Sequence, residues 1–392
     1  MKNRNKLYMY VSSWREHGGA PGLACYTFDQ EKGIILSEAH WIDRQNSFGL
    51  SCLDPKRNLL YIANEVIRYR DAVCDSGRIF VYRLDPASGR AALFAVVPTM
   101  CPNPSGLTVN REGTYLFVAH HSVEGGIAVH KRTPDGRIGY RIVKAEADVQ
   151  AYRLDENGIP AELVCNINHE RYQEATHAHP HSAVLSPSGK YLAVADKGSG
   201  FLYFYEMDPE SGALILRNKI LTDVEGAHPR CVLFHPAEPY LFVNHEASLD
   251  GSCNVSGFRY SEDGALDRTD CIDALDVCHP ELVHAPIRLE QQGFVMNPAK
   301  RCLYTLINAA NILAVLQFDK HGKLFRVQNV SVKGIWPRGL AITPNGRYVL
   351  ATCLDTGEII RYSVKEDGTL CPGSVIDRQK GASWITFFQA ED

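Results

Sequence analysis

SAVLSPSGKYLAVADKGSGFLYFYEMDPESGALILRNKIL, residues Ser182–Leu221, carries four β-strand signals in one short stretch. A small apolar run, Ser182–Pro187, ends in a Ser/Gly turn. Tyr191–Asp196 follows, then Phe201–Met207, which runs into an Asp-Pro-x-x-Gly turn. A looser fourth run closes the unit. Polar, Gly-containing turns between aromatic and β-branched runs are hairpin signals. No part of the chain shows a convincing amphipathic 3.6-residue period.

The same two phrases return along the chain. The acidic-to-Gly turn recurs as FDQEKGIIL at Phe28, LDPASGRAAL at Leu84, RTPDGRIG at Arg132, MDPESGALIL at Met207, YSEDGALD at Tyr260, FDKHGKLF at Phe318 and VKEDGTL at Val364. The turn before the second strand recurs as LDPKRNLLYIAN, VNREGTYLFVAH, LSPSGKYLAVAD, FHPAEPYLFVNH, MNPAKRCLYTLI and ITPNGRYVLATC. Two turn phrases alternating at a period of tens of residues indicate a repeat architecture. Seven units result, at residues 7–28, 46–84, 103–131, 181–207, 230–260, 290–318 and 337–364. The first lacks its short apolar strand, and a spare strand, Ala382–Gln389, stands at the far end. These features predict an all-β fold: a seven-bladed β-propeller, one domain over residues 1–392, its ring closed by the C-terminal strand joining the N-terminal blade. The stretch Lys131–Thr176 is expected to be an insertion over a blade connection, with an extra hairpin as its candidate form.

Bulk properties narrow the partners. A net charge of −4 with no basic stripe argues against nucleic acid. No run approaches the roughly 18 apolar residues of a membrane span, and the opening MKNRNKLYMYVSSW has no apolar signal-peptide core. The 12 cysteines lack any CxxC spacing, so scattered buried thiols in a reduced, cytoplasmic protein are expected, with Cys271 and Cys278 able to pair only in an oxidising setting.

Aligning units on the turn before the first strand places a polar residue at one position in THAHPHSAVLSP, GAHPRCVLFHP and WPRGLAITP: His181, Arg230 and Arg338. Glu246 stands at the end of a second strand, 16 residues after Arg230. Equivalent positions of different blades converge on a propeller's axis, so these four are expected to face one funnel. A His and a Glu there can exchange protons, and arginines can hold a carboxylate or an oxyanion. Each also has a purely structural reading: His181 bonded to a carbonyl, Arg230 and Arg338 as inter-blade ties, Glu246 as the partner of Arg230. His177, His179 and His181 alternate along an extended segment, with His228 and His245 as candidate neighbours. This gives a divalent-metal alternative.

HPHSAVLSPSGKYLAVAD, HPRCVLFHPAEPYLFVNHE and WPRGLAITPNGRYVLA, with YMYVSSW and GLACYTFD at the start, resemble the seven-bladed propeller lactonases, the family of propeller-type 6-phosphogluconolactonases and carboxymuconate-cyclising enzymes. The resemblance spans nearly the whole chain. It implies His181 and Glu246 as acid/base groups and Arg230 as carboxylate or oxyanion ligand; Arg338, His179, His228, His245 and Asn308 are expected to stand on the substrate side. There are departures. Asn308 stands where the family carries Arg, His245 replaces the Asn before the Glu, His120-His121 replaces Asn-Tyr, and Leu354 replaces a Gln. The expected function is a lactonase-like hydrolase of a sugar-acid or other carboxylated lactone, a small-molecule substrate, with no cofactor. The alternatives are a metal-assisted lyase or isomerase using the histidine run, and a non-catalytic binding propeller.

Overall fold

A computed structural model describes residues 6–14, 22–69, 76–123, 126–144, 146–172, 178–223, 227–247, 251–275 and 289–389. They form seven blades of antiparallel strands around a central channel. Blades 2 to 7 have four strands each, in meander order from the axis outward. The innermost strands are Ser51–Asp54, Pro104–Val109, Pro180–Leu185, Pro229–Phe234, Gln291–Asn297 and Pro337–Ile342. In blade 1 the innermost strand is Ala382–Phe388, paired with Lys6–Ser13 in the register Tyr8↔Phe388 to Ser12↔Trp384. The last strand thus completes the first blade and closes the ring, as the incomplete first unit required.

The core lies between blades. Second strands are buried along all or nearly all of their length, as in Tyr191–Asp196 and Cys302–Ile307. Leu192 and Val194 pack toward blade 3, whereas Ala193 and Ala195 pack toward Val232, Leu241 and Val243 of blade 5. A strand covered on both faces reads as a continuous apolar run. Each fully buried Leu, Val or Phe contributes about 1.5–3 kcal/mol by leaving water.

The two repeated phrases also meet in space. A tyrosine on each second strand, or on its counterpart Lys6–Ser13, donates its hydroxyl to a carbonyl in the next blade's acidic-to-Gly turn. The bonds are Tyr10 to Gly89, Tyr61 to Gly158, Tyr115 to Glu210, Tyr191 to Glu262, Tyr240 to Lys320, Tyr304 to Gly368 and Tyr348 to Glu31, at 2.5–3.0 Å. One such tie spans every blade junction.

That ring corrects the third unit. The turn that receives Tyr61 is Asp155–Gly158, not the Pro-Asp-Gly turn at Arg132. Strands Asp148–Leu154 and Pro160–Asn168 are the third and fourth strands of blade 3. The insertion is therefore not residues 131–176. It is the two-stranded hairpin Gly126–Arg132 with Ile138–Lys144, set between the second and third strands. Its turn mimics the repeat phrase, so local sequence alone mistook it for the blade's own.

Candidate active site in the central channel

The innermost strands begin with an irregularity that builds the site. In blade 4, Pro180 pairs with Asp196 and Ser182 with Ala195, so His181 is skipped. Arg230 is skipped likewise between Pro229 and Cys231, and Arg338 between Pro337 and Gly339. The same break falls at Ser105, at Gln292-Gly293 and at Ser383. A bulge frees a residue from the ladder and re-aims its side chain. The preceding prolines sit at a strand's first position, where a missing N–H is tolerated. Backbones converge tightly here: a Cβ on Gly339 would lie 2.5 Å from both the Ser383 carbonyl oxygen and the Thr352 hydroxyl.

A second ring comes from the residue just after each second strand or its counterpart: Trp14, Glu65, His121, Lys197, Glu246, Asn308 and Leu354. Five of these, Trp14, Glu65, His121, Lys197 and Glu246, line a mouth cavity of about 380 Å³ together with His181, Arg230, Arg338, Glu290 and Gln292. Deeper in the channel a cavity of about 330 Å³ is walled by Leu107, Val184, Val232, Phe294 and Trp384, and it shares His181, Arg230 and Arg338 with the mouth.

Within the mouth, the Glu246 carboxylate is gripped from two sides. Arg230 Nη1 donates to Oε2, and Lys197 Nζ lies 2.5 Å from Oε1. Burial opposes ionisation of Glu246, but Arg230 and Lys197 outweigh it and hold the carboxyl well below its usual range. Burial, reinforced by Arg230, pushes the His181 imidazole well below its ordinary value, so the ring stays neutral. Glu290 moves the opposite way, raised by burial and then by the Glu246 charge. Its Oε2 accepts from Asn308 Nδ2 at 3.1 Å and from Gln292 Nε2 at 3.2 Å.

Arg338 reaches the same mouth but is already engaged. Its guanidinium stacks on Trp14 at 3.8 Å and its Nη2 pairs with Glu65 at 3.1 Å, so blade 7 is tied to blades 1 and 2. The other substrate-side residues stand behind the cavity wall. Asn308 exchanges hydrogen bonds with Glu290. His179 places Nδ1 2.6 Å from the His121 carbonyl oxygen and stacks on the His121 ring at 4.6 Å. His228 Nδ1 lies 2.8 Å from the Lys197 carbonyl oxygen. His245 is fully buried 4.0 Å from Asp223, with burial pushing its imidazole down to about 4. His177 and Cys278 lie outside the described residues. Among those residues His179 and His181 do not converge with a third metal-type donor.

Lys197, Glu290, Glu65 and Gln292 went unnoticed in the sequence. Lys197 and Glu65 had a signal: each follows its second strand directly, the register that singled out Glu246. Glu290 follows a connection with no repeat phrase.

The family model described as "Lactonase, 7-bladed beta-propeller" matches residues 8–387. The 6-phosphogluconolactonase of Bacillus subtilis (strain 168) is 24% identical over 386 residues, which is 94% of this chain and 95% of that protein. The structure of a periplasmic gluconolactonase from Pseudomonas aeruginosa aligns with a TM-score of 0.77 at 22% identity, covering 98% of this chain and 100% of that one. A putative 6-phosphogluconolactonase from Bacteroides uniformis aligns with a TM-score of 0.75 at 20% identity, with coverage of 98% and 100%. At these identities the structural likeness speaks to the fold alone.

Proposed function

The chain belongs to the seven-bladed β-propeller lactonase family, and from that premise we propose that it hydrolyses the ring ester of a small lactone at the channel mouth. The observation that carries this reading is the Arg230–Glu246–Lys197 cluster beside the neutral, buried His181. Arg230 and Lys197 polarise the lactone carbonyl and hold the oxyanion that forms when water adds to it. Neutral His181 takes the proton of that water. The ring C–O bond then breaks, and the alkoxide needs a proton. Glu246, ionised between two cations, has none to give; Glu290, pushed toward its protonated form, supplies it. This revises the His181/Glu246 acid–base pair, leaving Glu246 to fix the cations.

The charge balance favours a neutral or singly charged lactone of sugar-acid type. Arg230, Lys197 and Arg338 face the carboxylates of Glu246 and Glu65, with Glu290 holding its proton, so only about one positive charge is left over, too little for a phosphate dianion. We place the reaction in the cytoplasm: the ten described cysteines are free thiols, which suits a reducing compartment.

The test is a pH-stat assay over neutral, carboxylated and phosphorylated sugar lactones, comparing wild type with His181→Ala. Acid release by wild type alone, with a neutral or carboxylated lactone preferred, is expected. Equal turnover by His181→Ala refutes the assignment of the base. A preference for the phosphorylated lactone refutes the charge argument.

A further inference from the structure

One step behind the mouth lies a cluster that the proposed chemistry does not use. Cys101 is in the connection entering blade 3, His120 ends that blade's second strand, and Asp148 opens its third. Their donor atoms all lie within 4.8 Å of one another, and all three residues are almost completely buried. We propose that Cys101, His120 and Asp148 form a structural binding site for a zinc-class divalent cation.

The polar atoms of this cluster are left incomplete. His120 Nδ1 approaches Asp148 Oδ1 to 2.7 Å, yet among the described residues neither atom makes a hydrogen bond of normal geometry, and His120 Nε2 makes none either. Buried polar atoms are ordinarily satisfied. Blade 4 shows what a satisfied pair looks like. There His169 Nδ1 lies 2.9 Å from Asp196 Oδ2, and its Nε2 lies 2.9 Å from the Tyr205 hydroxyl, so both ring nitrogens are used. The histidine–carboxylate pair of blade 3 lacks that completion and has a thiol beside it.

The donor set selects the ion. Thiolate, imidazole and carboxylate together suit zinc, whereas magnesium and calcium take oxygen ligands. Zinc–ligand bonds of about 2.0–2.3 Å in a tetrahedron imply donor separations of roughly 3.3–3.8 Å, so entry of the ion needs only small shifts. The Glu146 carbonyl oxygen, 2.5 Å from Cys101 Sγ, stands next to the cluster as a further oxygen donor. An outer shell exists as well: Gln150 Nε2 donates to Asp148 Oδ2 at 2.8 Å, and Gln150 Oε1 accepts from the Tyr152 hydroxyl at 2.5 Å. Cys101 is a free thiol, so zinc binding releases its proton to solvent with no change of oxidation state. Cys101 is two residues from Asn103, and His120 adjoins His121; both Asn103 and His121 line the mouth. The ion would brace that wall without entering the reaction.

The test uses the full chain, produced in zinc-supplemented medium and dialysed into metal-free buffer. About one zinc per chain by mass spectrometry is expected. After stripping and cobalt loading, a thiolate-to-cobalt charge-transfer band is expected, absent in Cys101→Ser. Gln150→Ala keeps all three ligands and should bind zinc about tenfold more weakly in competition with a chromophoric chelator. His179→Asn should keep its zinc. The proposal is overturned if zinc-titrated wild type holds no stoichiometric metal, if bound cobalt shows no thiolate band, or if His179→Asn loses zinc while Cys101→Ser retains it.

Discussion

Glu246→Gln tests the centre of the site most sharply. The substitution keeps the side chain's size and removes its charge, leaving the Arg230 and Lys197 cations facing each other in a buried mouth. Breaking a buried pair from one side costs about 3–5 kcal/mol. Because each side chain retains a little solvent contact, about 3 kcal/mol is expected here. Equilibrium urea unfolding followed by tryptophan fluorescence reads that loss. Arg230→Met/Glu246→Gln should recover part of it, with a coupling energy on the order of 1–3 kcal/mol. The pH dependence has a definite sign. The Glu246 carboxyl is lower in the folded chain than its ordinary value of 4.5. Its contribution is therefore fully present above about pH 4.5 and is lost as the pH falls toward the folded value. The gap between wild type and Glu246→Gln should accordingly close in acid. If Glu246→Gln is as stable as wild type at neutral pH, or the double variant is strictly additive, the clamp does not exist as described.

Glu290→Gln should lower kcat by about 100-fold or more with KM little changed, if Glu290 protonates the leaving oxygen; wild-type kcat in this variant rejects that role. Arg338→Met should lose about 1 kcal/mol of stability through the Glu65 and Trp14 contacts while kcat changes less than tenfold, measured by urea unfolding and pH-stat together. A larger fall in kcat would make Arg338 a substrate ligand instead. Tyr191→Phe removes the tie from blade 4 to the Glu262 carbonyl and should cost about 1 kcal/mol without touching turnover. His245, held at about 4 when folded against 6.5 in the unfolded chain, makes stability fall as pH drops from 6.5 toward 4. His245→Asn should flatten wild type's stability profile over that interval, and an unchanged profile would contradict the burial.

The blade boundaries were legible because turn chemistry is local. An acidic residue and Gly a few positions apart make a turn wherever they fall, and apolar runs between such turns make strands. The third unit failed for the same reason: the hairpin at Arg132 has a good turn of its own, and only Tyr61 bonding to Gly158 identifies which turn belongs to the ring. His181, Arg230, Arg338 and Glu246 were legible by register, since repeats place equivalent residues at one end of the channel. Lys197 and Glu65 sat in the same register and were passed over.

By itself the sequence determined the all-β repeat, the count of blades, the closure through Ala382–Phe388 and four residues of the channel mouth, His181, Arg230, Glu246 and Arg338. These follow from patterns that act over a few residues and recur. Tertiary structure alone decided what those residues do to one another. Glu246 in blade 5 meets Lys197 in blade 4; Arg338 in blade 7 meets Glu65 in blade 2; Glu290 is pushed toward its proton by burial and by the Glu246 charge. Protonation and pairing depend on burial and on charges a few ångströms away, and in a ring of blades those neighbours come from distant parts of the chain.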